Sequence, residues 1–210
     1  MKTDVNVIDI LQQLDIMFPS AGCELIYHNL YELSIAVILS AQTTDKNVNK
    51  ITPILFNKYS DFCALSTANF NDVYDIIKPL GLANNKAKNI INLSKVMVEE
   101  YNSIIPDNLN ILMSLPGIGR KTANVILSEG YNIERIAVDT HVERVSKRLA
   151  LVDINANVLE VEEKLMELIP SNMWHHSHHL LLFFGRYFCT AKNPNCIKCP
   201  FKNQCILKKD

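Results

Sequence analysis

At 210 residues and 48% hydrophobic content, the chain can fold into one large domain or two small ones with a continuous interface. Its most apolar run, residues 33–39, is far shorter than the roughly 20 residues a bilayer span needs, which sets a membrane role aside. A net charge of −1 excludes holding polyphosphate through overall charge alone, but the average hides an asymmetry. Residues 153–167 carry five acids (Asp153, Glu160, Glu162, Glu163, Glu167) against Lys164, whereas residues 186–210 carry six basic residues against Asp210. One face can therefore be basic. The opening residues 1–5 are polar and lack a secretory pattern, so the protein is expected to stay where it is made.

Apolar positions recur at helical spacing far more than they alternate, and glycine is sparse at 6 residues, which predicts an all-α fold. Val7, Ile10, Leu11, Leu14 and Met17 form one helical stripe that Pro19 closes. Asn29 is placed to cap a helix over 30–40, and Asp45 to cap a third running to about Tyr59. A short helix follows over 71–78, broken by Pro79-Leu80-Gly81-Leu82. Ala87, Ile90, Ile91, Met97, Val98 and Tyr101 then mark a long amphipathic helix that ends before Pro106.

Residues 108–114 make about two turns, Pro116-Gly117-Ile118-Gly119 makes a tight turn, and helix resumes from Arg120 through Leu127. This is a helix-hairpin-helix arrangement, spanning about 108–130. Later helices are expected over 140–151, 157–169 and 173–184, with a loop rich in cysteine from Arg186 onward. No repeat, linker or change of composition marks a domain boundary.

The hairpin glycines Gly117 and Gly119 allow a tight turn that exposes amides beside a helix N-terminus, a seat for phosphate needing few basic side chains. A purely steric helix-helix turn is the competing reading. Lys121 lies in the first turn of the next helix, where the helix dipole and Arg120 disfavour an ammonium ion. A nucleophilic amine must be neutral, so Lys121 is the candidate nucleophile, with a solvated lysine as the alternative. Asp139 begins a helix eighteen residues later. It can serve as an N-cap, as a carboxylate that accepts a proton or stabilises positive charge, or both; Thr140 to Glu143 also fits a capping box.

Cys189, Cys196, Cys199 and Cys205 form a C-x6-C-x2-C-x5-C array, while Cys23 and Cys63 stand apart as packing residues. Without an export signal the four are expected to bind metal rather than pair as disulfides, and zinc and [4Fe-4S] both accept four thiolates. His175, His176, His178 and His179 crowd one helix, and are read as a polar face with one or two core histidines.

Taken together, Ser40-Ala41-Gln42-Thr43-Thr44-Asp45, residues 115–124, Val138 to His141, Gly185-Arg186-Tyr187 and the cysteine quartet resemble the endonuclease III family of helix-hairpin-helix DNA glycosylases. The resemblance runs almost end to end. It implies two helical domains flanking a DNA-binding cleft: a barrel domain over 22–132, and a discontinuous domain of 1–21 plus 133–210 with a cluster loop at 186–210. It also implies a [4Fe-4S] cluster rather than zinc, Lys121 as Schiff-base lysine and Asp139 as catalytic aspartate. Gln42 and Leu82 match residues inserted into the DNA stack, and Gly117, Gly119 and Arg120 match the DNA-binding hairpin. In this resemblance the loop between Cys189 and Cys196 is poor in basic residues, with Lys192 alone.

The implied activity is bifunctional: removal of oxidised pyrimidines, then β-elimination at the abasic site through a lysine imine. The implied partner is double-stranded DNA with damaged bases or abasic sites, engaged by a cytoplasmic monomer associated with the chromosome. Two alternatives stand beside it, a monofunctional glycosylase that activates water and a DNA-binding module without chemistry.

Overall fold

The computed structural model describes residues 6–207. The polar opening of residues 1–5 and the closing Lys208, Lys209 and Asp210, on which the targeting and tail-charge expectations partly rest, lie outside the described residues. Every regular element among the described residues is helical, and no helix is long and apolar enough to cross a membrane. By its contacts the chain divides into two compact units. One is continuous over Glu24–Ile133; the other joins the residues up to Cys23 with those from Glu134 onward.

The continuous unit is organised around α2 (Leu30–Leu39), whose Leu33, Ile35, Ala36, Val37, Ile38 and Leu39 are all buried. A helix apolar on every side needs neighbours on every side. They are α3 (Asp45–Lys58), α6 (Ala83–Tyr101), α8 (Arg120–Val125) and the turn that follows α8, while α4 (Phe62–Ser66), α5 (Phe70–Ile77) and α7 (Leu109–Ser114) complete the same core. Leu55, Leu65, Val73, Ile77, Ile90, Leu93 and Met97 are fully buried in this core. Each such side chain contributes about 1.5–3 kcal/mol of burial.

Three details differ from the sequence expectation. Thr44, not Asp45, caps α3, its hydroxyl accepting from the Asn47 amide at 3.3 Å; Asp45 is the first helical residue, favourable at the positive helix end. The short α4 carries too few apolar positions, Phe62 and Leu65, to register as a periodic stripe, although Asp61 caps it through the Ala64 amide at 2.8 Å. Past α8 the helix continues as a π turn, Ile126–Gly130, because Ile126, Leu127 and Ser128 all remain in the core.

In the discontinuous unit α1 (Val7–Met17) packs against α11 (Trp174–Phe183), with α9 (Thr140–Arg148) and α10 (Val158–Leu168) completing the core. The helix expected to reach residue 151 stops at Arg148, because Ala150 takes a left-handed φ of 57°. The expected loop at Arg186 is instead a π turn, Phe184–Phe188, continuing α11. Its fully buried Phe184 stacks on Phe188 at 5.2 Å and meets Phe201 edge-on at 5.5 Å. Gly185 permits close approach: a Cβ there would lie 3.0 Å from the His141 carbonyl oxygen.

Candidate functional site

The hairpin is built by α7, capped by Asn108 through the amides of Asn110 (2.9 Å) and Ile111 (3.2 Å), and by α8. Between them the Ile118 amide donates to the Leu115 carbonyl at 3.2 Å, and buried Ile118 pins the turn to the core. The two glycines have different reasons. Gly117 has φ 78°, and a Cβ there would meet Asn89 Cβ at 2.8 Å, so both backbone and space demand glycine. Gly119 is extended at φ −89°, and a Cβ on it would meet nothing within 4 Å. It caps α8 with no side-chain acceptor, where serine, threonine, asparagine or aspartate would ordinarily satisfy the first amides. Half-buried Arg120 and exposed Lys121 are the first two residues of α8, and among the described residues no hydrogen bond or ion pair engages the Lys121 amine.

Gln42 and Leu82, singled out by resemblance, share a backbone feature. Both are exposed non-glycine residues in the left-handed region, Gln42 at φ 54° in the link between α2 and α3 and Leu82 at φ 51° as N-cap of α6. Such a conformation costs on the order of 1–2 kcal/mol for an L-residue. Leu82 is 52% exposed, so core packing does not repay it. Strain of this kind concentrates at functional positions.

Asp139 belongs to the discontinuous unit, where it is the N-cap of α9. Its Oδ1 accepts from the amides of His141 and Val142, each at 2.8 Å, which fixes the carboxylate and leaves Oδ2 without a hydrogen bond among the described residues. The Thr140–Glu143 capping box does not form, since Asp139 already holds the cap; Glu143 pairs instead with Lys147 at 2.6 Å. A capping box forms at Asn157 and Glu160.

The same helix grips the cysteine loop. Arg144 donates to the carbonyls of Gly185 (2.6 Å) and Cys189 (3.2 Å), and Arg148 to those of Thr190 (2.8 Å) and Ala191 (3.1 Å) and to Cys189 Sγ (3.3 Å). Burial, then the neighbouring Arg148, pulls the Arg144 guanidinium below its ordinary value, while Cys189 and Asp139 oppose this. Cys189 is buried and Cys196, Cys199 and Cys205 are half-buried. Burial pushes the Cys199 thiol up, and Cys189, Cys205 and Cys196 raise it further, against a backbone hydrogen bond from Phe201.

Sequence reasoning gave no role to Arg144 and Arg148, although their i, i+4 spacing places both on one face of α9. It also missed Lys86, a buried lysine of α6 with no patterning signal. Cys63, read as a packing residue, is exposed. The histidines pack much as expected: His178 and His179 are buried, and His176 lies 2.7 Å from Asp15, a carboxylate distant in sequence.

Residues 35–171, a span containing both Lys121 and Asp139, match the model of the HhH-GPD superfamily of base excision DNA repair proteins. The endonuclease III of Bacillus subtilis (strain 168) is 48% identical over 93% of this chain and 89% of its own length. The chain belongs to the HhH-GPD superfamily and, within it, to the endonuclease III family. Two solved endonuclease III structures are similar to it, one a non-covalent complex with DNA and the other a trapped covalent intermediate with DNA. Each is 45% identical, with a TM-score of 0.94, and aligns with 98% of this chain and 96% or 97% of the solved one. The HhH-GPD match stops before Cys189, so the cysteine loop lies outside the matched span.

Proposed function

We propose that this chain is a bifunctional base-excision repair enzyme, a DNA glycosylase and abasic-site lyase, with oxidised pyrimidines in duplex DNA as its substrates. The observation that carries the reading is its likeness to an endonuclease III trapped as a covalent intermediate with DNA. A covalent intermediate needs a nucleophile on the protein, which favours this activity over a water-activating glycosylase. Here Lys121 presents an exposed primary amine at the start of α8.

In this mechanism the amides at Gly117, Gly119 and Arg120 seat a backbone phosphate, and Gln42 and Leu82 fill the stack as the damaged nucleotide turns out. Neutral Lys121 attacks C1′. The C1′–N bond breaks with its electron pair leaving on the base, while the carboxylate of Asp139 supports the positive charge on the sugar. Opening of the sugar ring gives an imine between Lys121 and C1′. Loss of the C2′ proton then expels the 3′ phosphate by β-elimination, and water hydrolyses the imine to release Lys121. Asp139 suits this role because its cap bonds orient it through one oxygen and leave the other without a hydrogen bond among the described residues.

Cys189, Cys196, Cys199 and Cys205 would hold a [4Fe-4S] cluster, which the influence of the other three on Cys199 and the chain's family support. The cluster would supply a covalent staple for the C-terminal segment. Arg144 and Arg148 connect that segment to the helix that Asp139 caps. The protein would act as a monomer on chromosomal DNA in the cytoplasm.

Borohydride reduction during turnover tests the reading. Wild-type protein becomes crosslinked to duplex DNA carrying an oxidised pyrimidine, with Lys121 the modified residue. Lys121→Ala loses both trapping and nicking but still binds DNA, and Asp139→Asn slows base release by about 100-fold or more while keeping some lyase activity on a preformed abasic site. Undiminished trapping by Lys121→Ala would assign the nucleophile elsewhere.

A further inference from the structure

Lys86 is only 3% exposed, lies in the first turns of α6, and has no carboxylate partner among the described residues. Burial alone lowers its basicity. Its position near the positive end of a helix is a second cost to an ammonium ion. An apolar side chain of similar length would cost less there, since buried charges are often replaced by hydrophobic residues without loss of stability. Stability therefore does not account for this lysine.

Its bonds do. The Lys86 ammonium donates to the Leu80 carbonyl at 3.0 Å, and the Lys86 backbone amide donates to the Leu82 carbonyl at 3.0 Å. One residue thus clasps the chain on both sides of Gly81 (φ 70°) and reaches Leu82 itself (φ 51°). No side chain caps α6; the amide bond is the first rung of the helix, which any residue at 86 would make, so the ammonium bond to Leu80 is what the lysine itself adds in tying the turn before the strained, exposed leucine to the helix. We propose that Lys86 is the positioning residue that holds Leu82 in its DNA-inserting conformation. This rests on the reading of Leu82 as an inserted wedge. Lys86 touches neither DNA nor the reacting atoms in this scheme; it acts by keeping Leu82 from relaxing out of the left-handed region, so the leucine arrives already shaped for insertion.

The test uses the full chain and a duplex with a tetrahydrofuran abasic analogue facing 2-aminopurine, whose fluorescence rises when it is unstacked. Lys86→Met is expected to melt at or above the wild-type temperature, yet to lower the unstacking rate and kcat on damaged duplex by about ten-fold, the worth of one hydrogen bond to a charged donor. KM should move by less than about two-fold, because the lost contact serves insertion rather than initial binding. In a Leu82→Ala background, Lys86→Met should add no further loss. Should Lys86→Met fail to fold, Lys86→Gln, which is too short to bond Leu80, carries the same outcomes. Loss of unstacking in Leu82→Ala with a wild-type signal in the Lys86 variant overturns the clasp alone, as do losses that multiply in the double variant. A full signal in Leu82→Ala removes the wedge reading, and the clasp falls with it.

Discussion

Ala150 shows what a single residue can cost. At the end of α9 the Leu151 amide donates to the Ser146 carbonyl at 2.9 Å and the Ala150 amide to the Lys147 carbonyl at 3.1 Å, the paired bonds of a helix stop whose central residue is left-handed. Glycine usually fills that place. Alanine at φ 57° bears a Cβ clash of roughly 1–2 kcal/mol, partly offset by its smaller unfolded-state entropy. Ala150→Gly is therefore expected to stabilise the protein by about 0.5–1 kcal/mol, a rise of about 2 °C in melting temperature. Calorimetry showing no change or a loss would mean that the unfolded-state entropy outweighs the strain. Gln42 and Leu82 bear the same strain, but there it is coupled to the proposed insertion. The two settings separate strain that a glycine can relieve from strain coupled to the proposed insertion.

At the scale of elements, the hairpin couples sequence to chemistry through its two glycines. Gly117→Ala is expected to destabilise the protein by about 1–3 kcal/mol, because the new Cβ is strained at φ 78° and overlaps Asn89. Gly119→Val is expected to cost no more than about 1 kcal/mol, the poorer N-cap that valine makes, since its Cβ enters open space, while weakening binding to damaged and undamaged duplex alike by obstructing the α8 amides. Chemical denaturation and fluorescence anisotropy on both duplexes check the pair. A Gly119→Val that lost affinity only for damaged DNA would mean that the turn reads the lesion rather than phosphate.

This hairpin was legible because its meaning is local: Pro116, Gly117 and Gly119 sit between two short apolar stripes, and a turn with exposed amides follows from those residues alone. The capped helices at Asn29 and Asp139 were legible for the same reason. The short α4 has one apolar pair and no stripe. The helical run through Gly185 depends on how near α9 lies, and the clasp at Lys86 depends on a carbonyl six residues away whose direction a strained turn sets. Those features belong to tertiary structure, and single-residue patterns do not encode them.

At the scale of the molecule, α9 joins the proposed catalytic carboxylate to the cysteine loop within the discontinuous unit. Its N-terminus is capped by Asp139, and its Arg144 and Arg148 hold the carbonyls of residues 189–191. If the four cysteines hold iron, the loop is fixed from both ends, by thiolates and by guanidinium groups, and iron loss should loosen it as far as α9. Replacing Cys199 with alanine is expected to reduce iron per chain and to raise hydrogen exchange through residues 189–207, spreading into α9 because Arg148 loses ordered carbonyls to bind. The effect should stay within this unit: amides of α2 and α6, in the continuous unit, should exchange at wild-type rates. Lyase activity on a preformed abasic site should fall less than base release, because the aldehyde there is already reactive and depends less on Asp139. Hydrogen exchange read peptide by peptide, together with iron analysis of protein purified without oxygen, checks each part. One zinc and no iron in the wild-type protein would replace the cluster with a single ion, and unchanged exchange in α9 after Cys199→Ala would show that the arginines alone hold the loop.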